Sequence, residues 1–84
     1  MYRIIIEDKA LKGLSKIPKP HNSRIVKAID ALAKEPYPAG CKKLKSRNNQ
    51  YRIRIGDYRV IYNVKNAILT ILVLDIGNRK NIYQ

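Results

Sequence analysis

Hydrophobic positions near the start of the chain follow a strand pattern at first and a helical pattern afterwards. Residues 2–6 are rich in β-forming side chains and predict a short strand. A short amphipathic helix is predicted next, capped by Asp8 and ended by Pro18, because proline lacks the backbone donor that a helix needs. Its helical spacing is carried by Ala10, Leu11, Leu14 and Ile17.

A second helix is predicted from about His21 to Lys34, and Pro36 stops it. Its apolar stripe consists of Ile25, Ile29 and Leu32. Val26, Ala28 and Ala33 widen the stripe, and the charged residues Arg24, Lys27, Asp30 and Lys34 lie opposite, so this helix is expected to have one buried and one solvated face.

After Gly40 the pattern changes to the two-residue period of β-strands, interrupted by short polar turns. Strands are predicted at residues 42–47, 51–55, 58–64 and 67–74. The last of these is apolar on both faces apart from Thr70, which predicts a central strand whose residues 68–74 lie in the core. Residues 75–84 are predicted to form a polar tail.

The predicted order β-α-α-β-β-β-β indicates an α+β fold in a single domain spanning residues 1–84. An N-terminal strand and a two-helix hairpin precede a four-stranded antiparallel meander, because short turns join the last four strands. The apolar stripes of the helices must be buried, so both helices are expected on one face of the sheet. The opposite face is then available for function.

The charge of the chain narrows the kind of partner it can have. Lys and Arg number 18 against 6 Asp and Glu, which gives a formal net charge of +12. Such an excess opposes folding through self-repulsion and is typical of proteins that bind RNA, DNA or an acidic protein.

The same composition argues against several other classes of protein. A single cysteine, Cys41, cannot form a disulfide within the chain, and together with the single His21 it supplies too few ligands for a structural zinc ion. No cofactor is therefore expected, and a cytoplasmic location fits. The apolar start is too short for a signal peptide, and no apolar run approaches the ~20 residues of a membrane span.

Seven basic residues fall within the 18 positions from 42 to 59. They are Lys42, Lys43, Lys45, Arg47, Arg52, Arg54 and Arg59. Strand alternation places Tyr51, Ile53 and Ile55 towards the core and the last three arginines on the opposite, open face. Cross-strand neighbours stand ~5 Å apart, so these guanidinium groups should repel one another unless an anion binds between them.

Three sequence blocks carry a resemblance to a known family. They are LKSR at 44–47, YRIRIGDYRVIY at 51–62 and ILVLDIGNRKNIY at 71–83. In combination they resemble the RelE/ParE superfamily of toxins from type II toxin–antitoxin systems, and the RelE branch in particular. The resemblance implies a fold similar to that of microbial ribonucleases and an enzyme that cuts messenger RNA in the ribosomal A site.

The resemblance also implies the site residues. The catalytic positions of the family correspond to Arg52, Arg54, Arg59, Arg79 and Tyr83. Arg59 and Arg79 are assigned to the scissile phosphate, Arg52 and Arg54 to neighbouring phosphates or the transition state, and Tyr83 to base stacking or orientation of the 2′-hydroxyl. Additional RNA contacts are assigned to Lys42, Lys43, Lys45, Arg47 and Lys80.

The general base is not evident from the residue types. Relatives often carry lysine in the Arg52/Arg54 pair and histidine where this chain has Asn78. His21 is interpreted as a surface or capping residue, and Lys43, Lys45 and Lys80 are the alternative proton acceptors.

The resemblance implies as partners a RelB-like antitoxin with an acidic or amphipathic helix, the ribosome with its message, and operator DNA through the antitoxin alone. Two other hypotheses remain open at this stage. One is a ParE-like inhibitor of DNA gyrase, and the other is a basic RNA-binding module without catalytic activity.

Overall fold

The computed structural model describes residues 1–45 and 48–78, which form two helices and one five-stranded sheet. The elements are β1 (Arg3–Ile6), α1 (Asp8–Ser15), α2 (His21–Leu32), β2 (Lys42–Lys43), β3 (Gln50–Ile55), β4 (Tyr58–Lys65), a 3₁₀ turn (Asn66–Ile68) and β5 (Thr70–Asn78). The predicted α+β class and element order are confirmed.

The strand order across the sheet is β1-β5-β4-β3-β2. The last four strands pair antiparallel, as the short turns predict, whereas β1 joins the same sheet as an edge strand parallel to β5. This parallel pairing lies outside the predicted four-stranded meander. It makes β5 a central strand, held between β1 and β4.

The core lies between the helices and one face of the sheet. The predicted stripe of α2 is confirmed, since Ile25, Ile29 and Leu32 are at most 1% exposed. They pack against inward-facing strand residues that include Ile53, Val60, Tyr62, Val64, Ile71, Val73 and Ile76. Burying this apolar surface is the main force that holds the helices on the sheet.

The prediction that residues 68–74 belong to the core is wrong at its start. β5 begins at Thr70, and Ile68 and Leu69 are 65% and 51% exposed. Asn66–Ile68 form a 3₁₀ turn and Leu69 adopts a φ of 47°, which reverses the chain without glycine or proline. The backbone N–H of Arg3 donates to the Leu69 carbonyl at 2.8 Å and so ties this turn to β1.

Three other boundaries also differ from prediction. Residues 75–78 continue β5 instead of starting the polar tail, because they complete its pairing with β4. Among residues 42–45 of the strand predicted over 42–47, only Lys42–Lys43 form a strand, and Asp8 is the first residue of α1, whose N-cap is Glu7 without a side-chain cap bond. An acid in the first turn still favours the helix through its dipole.

Helix α1 approaches the end of β5 very closely. A Cβ atom added at Gly13 would lie 1.9 Å from the carbonyl oxygen of Ile76, so only glycine permits this contact. Ala10 on the same helix is fully buried. A salt bridge of 3.0 Å joins Lys9 Nζ to Asp75 Oδ2 and adds a second link between α1 and β5.

Tyr62 makes the stability of the fold depend on pH in the alkaline range. Its hydroxyl donates to the Pro36 carbonyl at 2.7 Å, and burial, followed by the neighbouring Cys41, raises the pKa of this tyrosine above its usual value. The unfolded chain therefore loses the tyrosine proton first, and the contribution of Tyr62 to stability falls as the pH rises above about 10.

We expect Tyr62→Phe to lower the melting temperature at pH 8, because the Pro36 carbonyl loses its donor, at a cost of about 1 kcal/mol. The difference between variant and wild type should shrink at pH 11, where the wild-type hydroxyl opposes folding. Thermal unfolding of both proteins across this range measures the effect. Parallel stability curves would contradict the assignment.

Candidate functional site

The sheet face opposite the helices carries Arg52, Arg54 and Arg59 and is called the basic face below. Tyr51, Ile53 and Val60 pack on the helix side, so strand alternation places the three arginines on the opposite side. This matches the face assignment made from the sequence. Ile61 shares the basic face and is only 2% exposed, so this face is not uniformly open to solvent.

Arg52 differs from the sequence expectation in its burial. It is only 6% exposed, although an open position was predicted. Within residues 1–45 and 48–78, its guanidinium group makes no hydrogen bond or ion pair. An arginine this far withdrawn from solvent, with no ion-pair partner among the described residues, is a candidate binding site for an anion.

Arg54 and Arg59 form the next row across the sheet together with Gly77. Arg54 pairs with Arg59 between β3 and β4, and Arg59 pairs with Gly77 between β4 and β5. Arg54 is exposed and Arg59 half-buried. Directly paired residues stand ~5 Å apart, so two cations and an empty position lie side by side. Sequence reasoning did not single out Gly77, and only strand register reveals its position.

Lys42 and Lys43, two of the seven basic residues within positions 42–59, lie on opposite faces of the sheet. Lys42 pairs with Arg52 and therefore belongs to the basic face, whereas Lys43 pairs with Tyr51 and belongs to the helix side. Both lysines are exposed, as is Lys45. Lys42 is thus placed to bind the same anion as Arg52, while Lys43 contributes only longer-range attraction to that face.

Two amide side chains lie on the basic face in the row next to the Arg52–Ile61 pair, on the side away from Arg54. Gln50 pairs with Asn63, and their oxygens Oε1 and Oδ1 are buried with no hydrogen-bond partner among the residues described here. Buried acceptors without donors cost free energy in the isolated protein. Hydroxyl or amino groups of a ligand are the donors that would satisfy them.

Asp75 is a carboxylate near these cations that the sequence analysis did not consider. It pairs in register with Ile61, but its side chain lies 3.0 Å from Lys9 on α1 and is 19% exposed. The salt bridge to Lys9 partly neutralises this acid, so it competes less with an external anion for the arginines.

His21 lies at the helix side of the sheet. Its ring packs against Tyr58, with centroids 5.4 Å apart, and Pro20 rather than His21 is the N-cap of α2. Tyr58 pairs with Asn78, the last residue of β5. His21 therefore packs near the end of β5 and does not cap its helix. Arg47, Arg79, Lys80 and Tyr83 lie outside the described residues, and their roles remain predictions.

In the described part of the chain, neither helix has the length and apolar character needed to cross a membrane.

Comparison with known proteins agrees with this fold. The family model for the ParE toxin of type II toxin–antitoxin systems matches residues 4–83. A Methanocaldococcus jannaschii protein named as toxin RelE1 is 29% identical over 86 residues, spanning 99% of this chain and 96% of that protein.

Solved structures give the same result. A chain in the archaeal RelE–RelB complex from Pyrococcus horikoshii OT3 is 35% identical, with a TM-score of 0.83 over 95% of this chain and 97% of that chain. A chain in the RelB–RelE antitoxin–toxin complex from Methanococcus jannaschii is 28% identical, with a TM-score of 0.78 over 94% of both chains.

The chain therefore belongs to the RelE/ParE superfamily of toxins from type II toxin–antitoxin systems. Within that superfamily, its similarity to RelE proteins in sequence and structure places it in the RelE branch.

Proposed function

We propose that this toxin is an endoribonuclease that cuts messenger RNA in the ribosomal A site. The observation that carries the proposal is Arg52, a 6% exposed arginine whose guanidinium group makes no hydrogen bond or ion pair in the described part of the chain. Phosphate is its natural ligand, because the planar guanidinium group donates two parallel hydrogen bonds to phosphate oxygens.

The chemistry follows from the charge of the transition state. The 2′-oxygen of a nucleotide attacks the adjacent phosphorus, and the 5′-oxygen of the next nucleotide leaves. The phosphorane between these steps carries more negative charge than the ground state, so fixed cations stabilise it selectively. Arg59 is assigned to the scissile phosphate together with Arg79, while Arg52 and Arg54 hold the flanking phosphates.

Positioning makes a second contribution in this proposal. Cations on β2, β3 and β4 fix the RNA backbone at several points, which holds the 2′-hydroxyl in line with the leaving oxygen. Tyr83 is assigned to stack on a base or to orient that hydroxyl. The ribosome, which presents a single-stranded codon, is expected to supply the rest of the alignment.

We also propose that a RelB-like antitoxin neutralises the toxin in the cytoplasm. The relatives in the solved complexes are bound to RelB, and the net charge of +12 favours an acidic or amphipathic partner. Operator DNA would be bound through the antitoxin alone.

A translating extract with one defined message tests the activity. The wild type should produce codon-phased cuts only when ribosomes are loaded, and Arg59→Ala should reduce the cleavage rate by about 10²-fold or more. Arg79→Ala and Tyr83→Phe test the assignments in the segment after β5. Arg24→Ala is the matched control, because Arg24 is an exposed arginine on α2.

The other outcomes identify different functions. An intact message combined with inhibited DNA supercoiling would indicate a gyrase inhibitor, the hypothesis that the ParE family match also allows. An intact message with normal supercoiling and simple retention of RNA would indicate a binding module. Either result would contradict the proposed nuclease.

A further inference from the structure

We propose that Gly77 is the floor of an RNA subsite beside Arg59, where the ribose–phosphate backbone lies directly against β5. The missing side chain allows this close approach, so Gly77 acts as a positioning residue for the substrate. The inference rests on the proposed RNA substrate and adds to it a specific path for the RNA across the sheet.

The first observation is the place of Gly77 in the sheet. Gly77 is paired with Arg59, which is paired with Arg54, so the three residues form one row across β5, β4 and β3. On the core side, the neighbouring residue Ile76 pairs with the buried Val60. The side-chain position of residue 77 therefore points to the basic face, on the strand next to Arg59.

The second observation is that the fold itself does not require glycine at this position. Gly40 and Gly56 have positive φ angles, whereas the backbone of Gly77 is one that other residues also adopt. A Cβ atom at Gly77 would meet no atom within 4 Å in the described part of the chain, in contrast to the contact at Gly13.

A glycine in a strand interior nevertheless destabilises the folded state, because it loses more backbone entropy and buries no side chain. Close approach of a ligand or of another backbone is a common reason for such a residue in a strand. The space that the described residues leave open at Gly77 lies beside Arg59, and Arg54 follows on the next strand of the same row, so the ligand of this subsite is anionic. The ribose–phosphate backbone of a single RNA strand carries that charge and can lie against β5 at the position that lacks a side chain.

A graded series of variants tests the inference. Gly77→Ala and Gly77→Val add one and three carbon atoms to the open space, and both should keep the wild-type melting temperature or exceed it. Affinity for a fluorescent, single-stranded RNA oligonucleotide should fall stepwise from glycine to alanine to valine. Cleavage of ribosome-loaded message by Gly77→Val should fall by about 10²-fold, because a displacement of 1 Å has an effect of that order.

Ala67→Val is the matched control, since it adds bulk at an exposed position at the opposite end of the β4–β5 hairpin. It should leave RNA affinity unchanged. Wild-type affinity in Gly77→Val would overturn the inference. So would a loss of binding to a purified cognate antitoxin without any change for RNA, because the space would then serve a protein ligand.

The two proposals fail in different ways. If RNA binding depends on residue 77 but no message is cut, the nuclease proposal is wrong and the subsite stands. If codon-phased cleavage occurs at the same rate in the wild type and in Gly77→Val, the nuclease proposal stands and the subsite is wrong.

Discussion

Gly13→Ala should lower the free energy of unfolding by about 2 kcal/mol, although alanine is the better helix former. The new methyl group would lie 1.9 Å from the Ile76 carbonyl oxygen and 3.0 Å from its carbon, so backbone must move. Overpacking of this kind costs roughly 1–3 kcal/mol, and a rigid backbone neighbour places the cost at the upper end. The gain in helix propensity of about 1 kcal/mol offsets only part of it.

Chemical and thermal unfolding measure this effect, and the expected fall in melting temperature is about 10 °C for a domain of this size. Gly77→Ala is the internal control, because its added atom meets open space. A melting temperature for Gly13→Ala equal to that of the wild type would show that α1 can move away from β5 at little cost.

The contact at Gly13 also bears on function, because α1 fixes the end of β5. Lys9 and Gly13 hold residues Asp75 and Ile76, and Gly77 of the basic face follows directly. The two glycines should therefore affect different properties. Gly13→Ala should lower mainly the stability, and Gly77→Ala should lower mainly the affinity for RNA.

Much of the fold could be predicted from the sequence because its signals are local. The alternation over 51–55 and 58–64 and the stripe of Ile25, Ile29 and Leu32 are each contained within one element. The parallel pairing of β1 with β5 could not be predicted in this way. It joins residues more than sixty positions apart, and no local pattern encodes that contact.

The error at the start of β5 has a physical cause as well. An apolar run without periodicity does not show where a strand begins, and the turn at Asn66–Ile68 contains neither glycine nor proline. Leu69 takes up a positive φ that aliphatic residues rarely adopt. The reversal is stabilised by the bond from Arg3 on β1 to the Leu69 carbonyl, together with local bonds from the Leu69 N–H to the Asn66 carbonyl and from the Thr70 hydroxyl to the Ile68 carbonyl.

For the candidate site, the two-residue period was sufficient to place Arg52, Arg54 and Arg59 on one face. The same period says nothing about burial, which depends on the elements that surround each side chain. Arg52 was therefore expected on open surface and is 6% exposed. The position of Gly77 beside Arg59 depends on the bulge between Ile61 and Tyr62, which shifts the register of β4 and β5.

Arg52→Met should abolish most of the proposed cleavage and at the same time stabilise the free protein. Burial of an ion costs several kcal/mol unless partners compensate, and the residues described provide this guanidinium group with no hydrogen bond or ion pair. Methionine has a similar length, fills irregular space and carries no charge. Replacing buried ions by apolar residues is neutral or stabilising by about 1–4 kcal/mol.

The activity should change in the opposite direction. Loss of one preorganised charge at a phosphate site reduces the rate by about 10²–10³-fold, so cleavage in the translating extract should fall accordingly. Inorganic phosphate should raise the melting temperature of the wild type more than that of the variant, because a ligand stabilises the state that binds it. Arg24→Met, at an exposed position on α2, should change neither property.

A different pattern would assign Arg52 to the structure of the sheet instead of to the RNA. If Arg52→Met lowers the melting temperature and phosphate stabilises both proteins equally, the guanidinium group supports the fold.

Arg52→Lys separates the charge of this residue from its shape. If Arg52→Lys retains cleavage but not phosphate-dependent stability, charge alone suffices and the planar fork is not needed. A stabilised, inactive Arg52→Met would instead show that this toxin retains an unfavourable buried cation because its substrate is a polyanion.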